Sequence, residues 1–178
     1  MQKNILSSNI DFRLYTDVKS ALKNEFGDED SFLLGRISKI SGADASTIQN
    51  WVKRGFITKA DGKKYSREQA MDIILLNAFK EALPLEKAAK LIAKAKSAGK
   101  ITSEQLLTVI ANVLIRADNF NTVDRDGLEG LTDDELYSIG RENETLSSAA
   151  LAMVLACIAS SYRQQALGEM QSSMQNSL

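Results

Sequence analysis

Apolar positions recur at helical spacing along most of the chain. Between residues 12 and 26 they fall at Phe12, Leu14, Tyr15, Val18, Ala21, Leu22 and Phe26. Steps of three and four dominate, which predicts a short amphipathic helix with Asp11 as its cap. Gly27-Asp28-Glu29-Asp30 breaks the pattern. Two more stripes follow. Phe32, Leu33, Ile37 and Ile40 predict a helix over 32–40; Ala45, Ile48, Trp51 and Val52 predict another over 46–52. Gly42 sits at the joint and supplies the positive φ that ends the first helix, while Asp44 or Ser46 caps the second. Two short helices across a tight glycine turn make a minimal helix-turn-helix.

Gly55 closes the second of these helices. Asp61-Gly62 is a hairpin signal, so the short extended runs around it are expected to form a small two-stranded β wing. Ser66-Arg67-Glu68-Gln69 then reads as a capped helix start. The helix behind it runs to about residue 82, with Met71, Ile74, Leu75, Ala78 and Phe79 on its core face. Pro84 suits the first turn of the next helix, which continues through Ala88, Leu91, Ile92 and Ala95 to Gly99. The remainder reads as a separate helical region. One helix starts at Ser103-Glu104 and reaches Phe120. A Gly/Asp-rich loop is expected over 124–130. Thr132-Asp133-Asp134-Glu135 would open another helix, its acids at the positive end of the dipole. The last long helix spans 147–167 and is apolar on nearly every face between 149 and 159, so it belongs in a core or a subunit interface. Residues 168–178 are polar and expected to fray.

Composition supports a folded, mainly helical chain. It has 178 residues, 44% of them apolar, one Pro and few aromatics, which suits one or two small domains with a real core. There is no His, so Ser-His-Asp and Cys-His devices and His-bearing zinc sites are excluded. The single Cys157 forms no internal disulfide and no multi-thiolate site. The acids Asp124, Asp126, Glu129, Asp133, Asp134 and Glu135 have no site-building spacing, and Asp124-Arg125-Asp126-Gly127 lacks the acceptor pattern of a calcium loop. The reading is therefore no enzyme, no metal and no cofactor. The stretch 149–159 falls short of the ~20 residues of a membrane helix, and residues 1–20 lack an apolar export block. A cytoplasmic chain that does not engage a membrane is expected.

Net charge is −1, yet the charge is segregated. Residues 32–100 carry fourteen basic and six acidic side chains, net +8; residues 101–178 carry four basic and eleven acidic, net −7. A compact cationic block suits a polyanion, because each Lys or Arg set against a phosphate releases condensed counterions.

The order and spacing of four pieces carry a resemblance. They are Leu34-Gly35-Arg36-Ile37-Ser38-Lys39, then residues 46–57 from Ser46-Thr47-Ile48-Gln49-Asn50-Trp51 to Phe56-Ile57, then Gly62-Lys63-Lys64-Tyr65-Ser66-Arg67-Glu68, and Leu83-Pro84-Leu85-Glu86-Lys87-Ala88. Together, over residues 32–92, they resemble the MerR-type winged-helix DNA-binding domain. With Leu14-Tyr15-Thr16-Asp17 upstream, residues 11–92 more closely resemble an uncharacterised bacterial family, domain of unknown function 1836. MerR proteins usually carry Arg and Tyr where this chain has Gln49 and Asn50.

The resemblance implies a mainly α fold: a MerR-like winged helix-turn-helix with a two-stranded wing in residues 1–100, then an all-helical dimerisation or effector region in 101–178. It implies a transcriptional regulator that binds double-stranded DNA as a homodimer on a two-fold symmetric site. Gln49 and Asn50 would read adenine edges with one amide each. Ser46 and Thr47 would donate to phosphates at the helix start. Lys53 and Arg54 would hold the backbone, and Lys63 and Lys64 would reach flanking DNA from the wing. Tyr65 would either touch a phosphate or pack under the wing. The alternative is a protein-interaction module that keeps the winged-helix scaffold and docks partners through its C-terminal helices.

Overall fold

The computed structural model describes residue 6, residues 8–120 and residues 124–175. Eight α-helices and one two-stranded antiparallel sheet appear among them. The last three residues of the expected frayed tail, 176–178, lie outside the described part.

A 3-10 turn at Phe12–Leu14 precedes α1, Val18–Phe26. The helix expected from residue 12 is thus split, and its cap is Asp17 rather than Asp11. The Asp17 carboxylate accepts from the Ser20 N–H at 2.7 Å and the Ser20 hydroxyl at 3.0 Å, which satisfies a first-turn donor the apolar spacing alone cannot see. These bonds hold the Asp17 carboxyl below its ordinary range.

Residues 31–33 are the second correction. Ser31–Leu33 form strand β1, and α2 begins only at Leu34, running to Ser41. α3 spans Ala45–Lys53. β1 pairs with β2, Lys64–Ser66, placing Phe32 opposite Tyr65 and Leu33 opposite Lys64. Alternation then buries Phe32 and Tyr65 on one face and exposes Leu33 and Lys64 on the other. The two-stranded sheet exists, but not as a local hairpin about Asp61-Gly62. Only one bridge, Asp61 to Lys64, closes that turn. The reason lies in Gln69. Its side-chain amide donates to the Thr58 carbonyl at 2.8 Å, the Thr58 hydroxyl at 2.7 Å and the Lys59 carbonyl at 3.2 Å. Those carbonyls are satisfied without a strand partner.

α4, Arg67–Phe79, starts in a full capping box between Ser66 and Gln69. Every residue from Ile73 to Phe79 is buried. This half of α4 is buried all round and has no polar face, so the one-sided core stripe expected from sequence is too narrow there. α4 is the axle of the fold, touching α2, the sheet, α5, Leu85–Gly99, α6, Ser103–Phe120, and α8, Glu144–Gln175. Its buried Asn77 donates to the Ser41 carbonyl at 2.9 Å and ties it to the end of α2. α8 also packs along α5 and α6.

The C-terminal half differs in two places. Residues 125–130 are helical: α7 spans Arg125–Ser138, and the Asp124 side chain caps it at the Gly127 N–H, 2.9 Å. The acids at 132–135 therefore lie inside α7. Asp134 and Glu135 bind Arg116 of α6 at 2.9 and 3.0 Å, so a cation across the helix pair orders them rather than the dipole. Their bonds raise Arg116's pKa. Residues 168–175 continue α8 instead of fraying. Extended this far, α8 is long and apolar enough, by length and composition, to cross a membrane; half of that window is buried inside the protein.

Candidate nucleic-acid interface

The turn between α2 and α3 is fixed locally. Gly42 adopts φ 74°, in the left-handed region, and its N–H returns to the Ser38 carbonyl. The Ser38 hydroxyl donates to the Ala43 carbonyl at 2.7 Å, and the Ser41 hydroxyl accepts from the Ala43 N–H at 3.2 Å. Asp44 holds the N-cap position of α3 but makes no side-chain cap bond. Ile48 and Trp51 are buried and anchor α3 from beneath, while Val52 is half-buried.

That anchoring sets the outer face. Ser46, Gln49, Asn50 and Lys53 are exposed or half-buried along it, and so is Thr47. Lys63 and Lys64 are exposed at the turn after Gly62, whose φ is 58°. None of these seven side chains makes a hydrogen bond or ion pair with the described residues. Tyr65 stands apart from them. It is 6% exposed, packed beside Phe32 in the core. Arg54 caps the end of α3, lies 4.7 Å over the Phe56 ring and approaches Glu86 at 3.9 Å.

Sequence reasoning missed one part of this surface. Arg54, Gly55 and Phe56 form one wall of an open groove of about 600 Å³, and Glu86, Ala89, Lys90 and Ala93 of α5 form the other. Lys87, Lys90 and Lys94 are exposed, and their spacing of three and four puts them on one face of α5. The cationic surface thus continues from the end of α3 onto α5. That spacing is legible in the sequence, but only the fold shows which helix end it faces.

Other cations of the same block are engaged within the molecule. Arg36 pairs with Glu29, donates to the Glu25 carbonyl at 3.0 Å and lies over Phe32. Arg67 holds Glu104 at 2.6 Å and the Gly27 carbonyl at 3.0 Å, against the Phe26 ring. Lys96 lies 2.7 Å from Glu68 and 3.1 Å from Asp72. Ser103, fully buried, bonds to both carboxylates. Burial pushes the Glu68 carboxyl up, but bonds from Lys96 and Ser103 outweigh it, and the net shift is downward. Lys96 shows the mirror case: burial lowers it, and the two carboxylates raise it further.

Among the described residues no group of three or more His, Cys, Asp or Glu side chains could hold a metal. Cys157 is buried, and burial pushes its thiol far up, away from the reactive thiolate. A cavity of about 780 Å³ lies between α1, α4 and α6, lined by charges of both signs, Lys19, Lys23, Asp28 and Glu104 among them.

A family model described as Domain of unknown function (DUF1836) matches residues 12–111, from the 3-10 turn into the first half of α6. No curated protein and no solved structure matches the chain.

Proposed function

The chain belongs to the Domain of unknown function (DUF1836) family, and from its residues we propose that it is a DNA-binding transcriptional regulator with a MerR-like winged helix-turn-helix, acting as a homodimer in the cytoplasm. In this reading α2 and α3 are the helix-turn-helix, and the turn before β2 is the wing. The observation that carries it is the outer face of α3. Gln49 and Asn50 are exposed amides with no partner among the described residues, one turn from Lys53, which has none there either. An amide offers a donor and an acceptor side by side, the pattern adenine presents in the major groove. Lys53, Lys63 and Lys64, joined by Lys90 across the groove from Arg54, supply backbone contacts that hold register without reading sequence.

The test is fluorescence anisotropy with fragments of the source genome at several salt concentrations. A subset of duplexes is expected to bind well above the rest, with affinity falling steeply as salt rises. Genome-wide recovery of bound DNA, with Gln49→Ala/Asn50→Ala as control, then gives the operator. No binding at low salt, or equal binding to all duplexes, overturns the reading. A protein-docking role through the C-terminal helices is the second reading, and it draws support from the exposed apolar side chains Leu155, Tyr162 and Met170 of α8.

A further inference from the structure

α8 has two apolar faces. One carries Ala150, Met153 and Cys157 into the core. On the opposite side, Ala152, Ala159 and Ala166 recur every seven residues, with Leu155 and Tyr162 placed between them. Most of this outer face is open to solvent: Leu155 is 38% and Tyr162 54% exposed, Ala159 and Ala166 are exposed with them, and Ala152 is half-buried. A seven-residue apolar repeat is the mark of a supercoiled helix pair, because a period of 3.5 keeps one seam facing a partner.

We propose that a second copy of this chain covers that face, the two α8 helices pairing antiparallel about a two-fold axis between Ala159 and Tyr162. The alternation of large and small side chains selects this occupant. About that axis Tyr162 rests on the partner's Ala159 and Leu155 on the partner's Ala166, and each pairing occurs twice, as a two-fold interface requires. Alanine every seventh residue lets the helices approach closely while the larger residue fills the gap opposite. From Ser148 to Ser173 the seam is about 38 Å long at the helical rise. Charge does not oppose it. The one cation of α8, Arg163, is already held by the Glu81 carbonyl at 2.7 Å and its carboxylate at 3.5 Å. Glu169 falls on the seam opposite the partner's Ala152 and is its one charged position, the seam ending in Ser148 and Ser173. A bilayer fits the same helix less well. Arg163 and Glu169 flank or interrupt the stripe, and Gln164, Gln165 and Gln171 surround it, so immersion would bury charge and amide together. This surface would build the homodimer of the proposed function, and it does not require that DNA be the ligand.

The experiment is light scattering and sedimentation of the full chain, without DNA, from nanomolar concentration upward. A species of twice the 19.5 kDa chain mass is expected. Leu155→Lys and Ala159→Glu alter exposed positions and should leave the circular dichroism spectrum unchanged, while melting falls only by the stability that the lost dimer contributes. Each should weaken dimerisation by about tenfold or more, and Glu169→Leu should strengthen it. Orientation is read by mixing Leu155→Cys chains with Ala166→Cys chains under mild oxidation; the mixed disulfide is expected to dominate, since these positions face each other across the axis, and buried Cys157 stays silent. A monomer at every concentration overturns the proposal. So does a dimer untouched by Leu155→Lys, a disulfide that forms within one variant in preference to the mixed pair, or flotation of the monomer with phosphatidylcholine vesicles that Leu155→Lys abolishes. DNA binding by a chain that stays monomeric would sink the dimer and leave the duplex reading standing.

Discussion

Two sets of cations share the segment 32–100, and the structure treats them in opposite ways. Arg36, Arg67 and Lys96 are fastened to Glu29, Glu104, Glu68 and Asp72. Lys53, Lys63 and Lys64 make no such bond. The first set joins helices; the second is left to solvent. Counting charge along the chain merges them, so a net of +8 overstates what a polyanion would meet. The partners of two committed cations also come from outside the block: Glu29 precedes it and Glu104 follows it. The acidic flanks are thus not simply repulsive neighbours of the basic segment. Part of their charge locks it in place.

This division predicts opposite phenotypes for neighbouring residues, and Arg67 should show the largest. Arg67→Ala removes the Glu104 pair, the bond to the Gly27 carbonyl and the packing on the Phe26 ring, and the side chain is only 24% exposed. A loss of about 3 kcal/mol is expected in urea unfolding. The salt dependence of duplex binding should not change. A variant that melts normally but binds DNA less steeply would move Arg67 into the other set.

Lys96→Met comes next and adds a pH signature. It strands Glu68 and Asp72 beside buried Ser103, at a cost of about 2 kcal/mol near neutral pH, less than a fully buried pair because water reaches part of the site. In the wild type Glu68 sits below its ordinary value of 4.5. A depressed carboxyl contributes stability that is complete above that value and is lost as pH falls through the folded-state pKa. Without Lys96, burial acts on Glu68 with less opposition and its pKa moves up. The stability gap between wild type and variant should therefore be widest at neutral pH and shrink as pH drops below 4.5. A gap of constant width across that window would mean that Lys96 stabilises by packing alone.

How far the sequence reaches depends on the range of the interaction. Gly42, the Ser66–Gln69 box and the Ile48/Trp51 anchor are local, and they are legible because capping and periodicity act within a few residues. β1 is not, since residues 31–33 are extended only by virtue of pairing with residues 64–66. The wing misleads for a related reason: Gln69, ten residues on, takes the carbonyl that a strand would have used. Glycine at Gly127 and Gly130 suggests a loop, but the Asp124 cap and the packing of α7 against α6 and α8 outweigh glycine's small helix penalty. At the candidate interface, the exposure of Gln49 and Asn50 follows from the stripe beneath them. Which cations are free does not follow, because every committed one is held by a residue at least seven positions away.

The unbonded set should behave conversely. Lys63→Ala/Lys64→Ala removes two exposed side chains, so stability should stay within roughly 0.5 kcal/mol of wild type. Duplex affinity should fall by a similar factor for all sequences. The slope of log affinity against log salt should decrease by about two, one for each phosphate left without its lysine. Loss of preference for one duplex over another would instead give these lysines a role in base reading.

Gln49→Ala is the smallest effect and the sharpest discriminator. The side chain is exposed and unbonded, so its removal should leave melting unchanged. Nor should it alter the salt slope, because an amide neutralises no phosphate. What should change is selectivity. Against the best duplex the variant loses about 1 kcal/mol, while its affinity for unrelated duplexes stays level. The measurement is competition anisotropy with a bound operator and a panel of single base-pair substitutions. Wild type should distinguish one position, an A·T pair, that Gln49→Ala no longer distinguishes, and the other positions should keep their ranking. Uniform weakening across the panel would make Gln49 a backbone contact like Lys53. No effect on any duplex would mean that α3 exposes its amides to water and not to bases, and the separation between committed and available side chains would then describe only how this fold holds together.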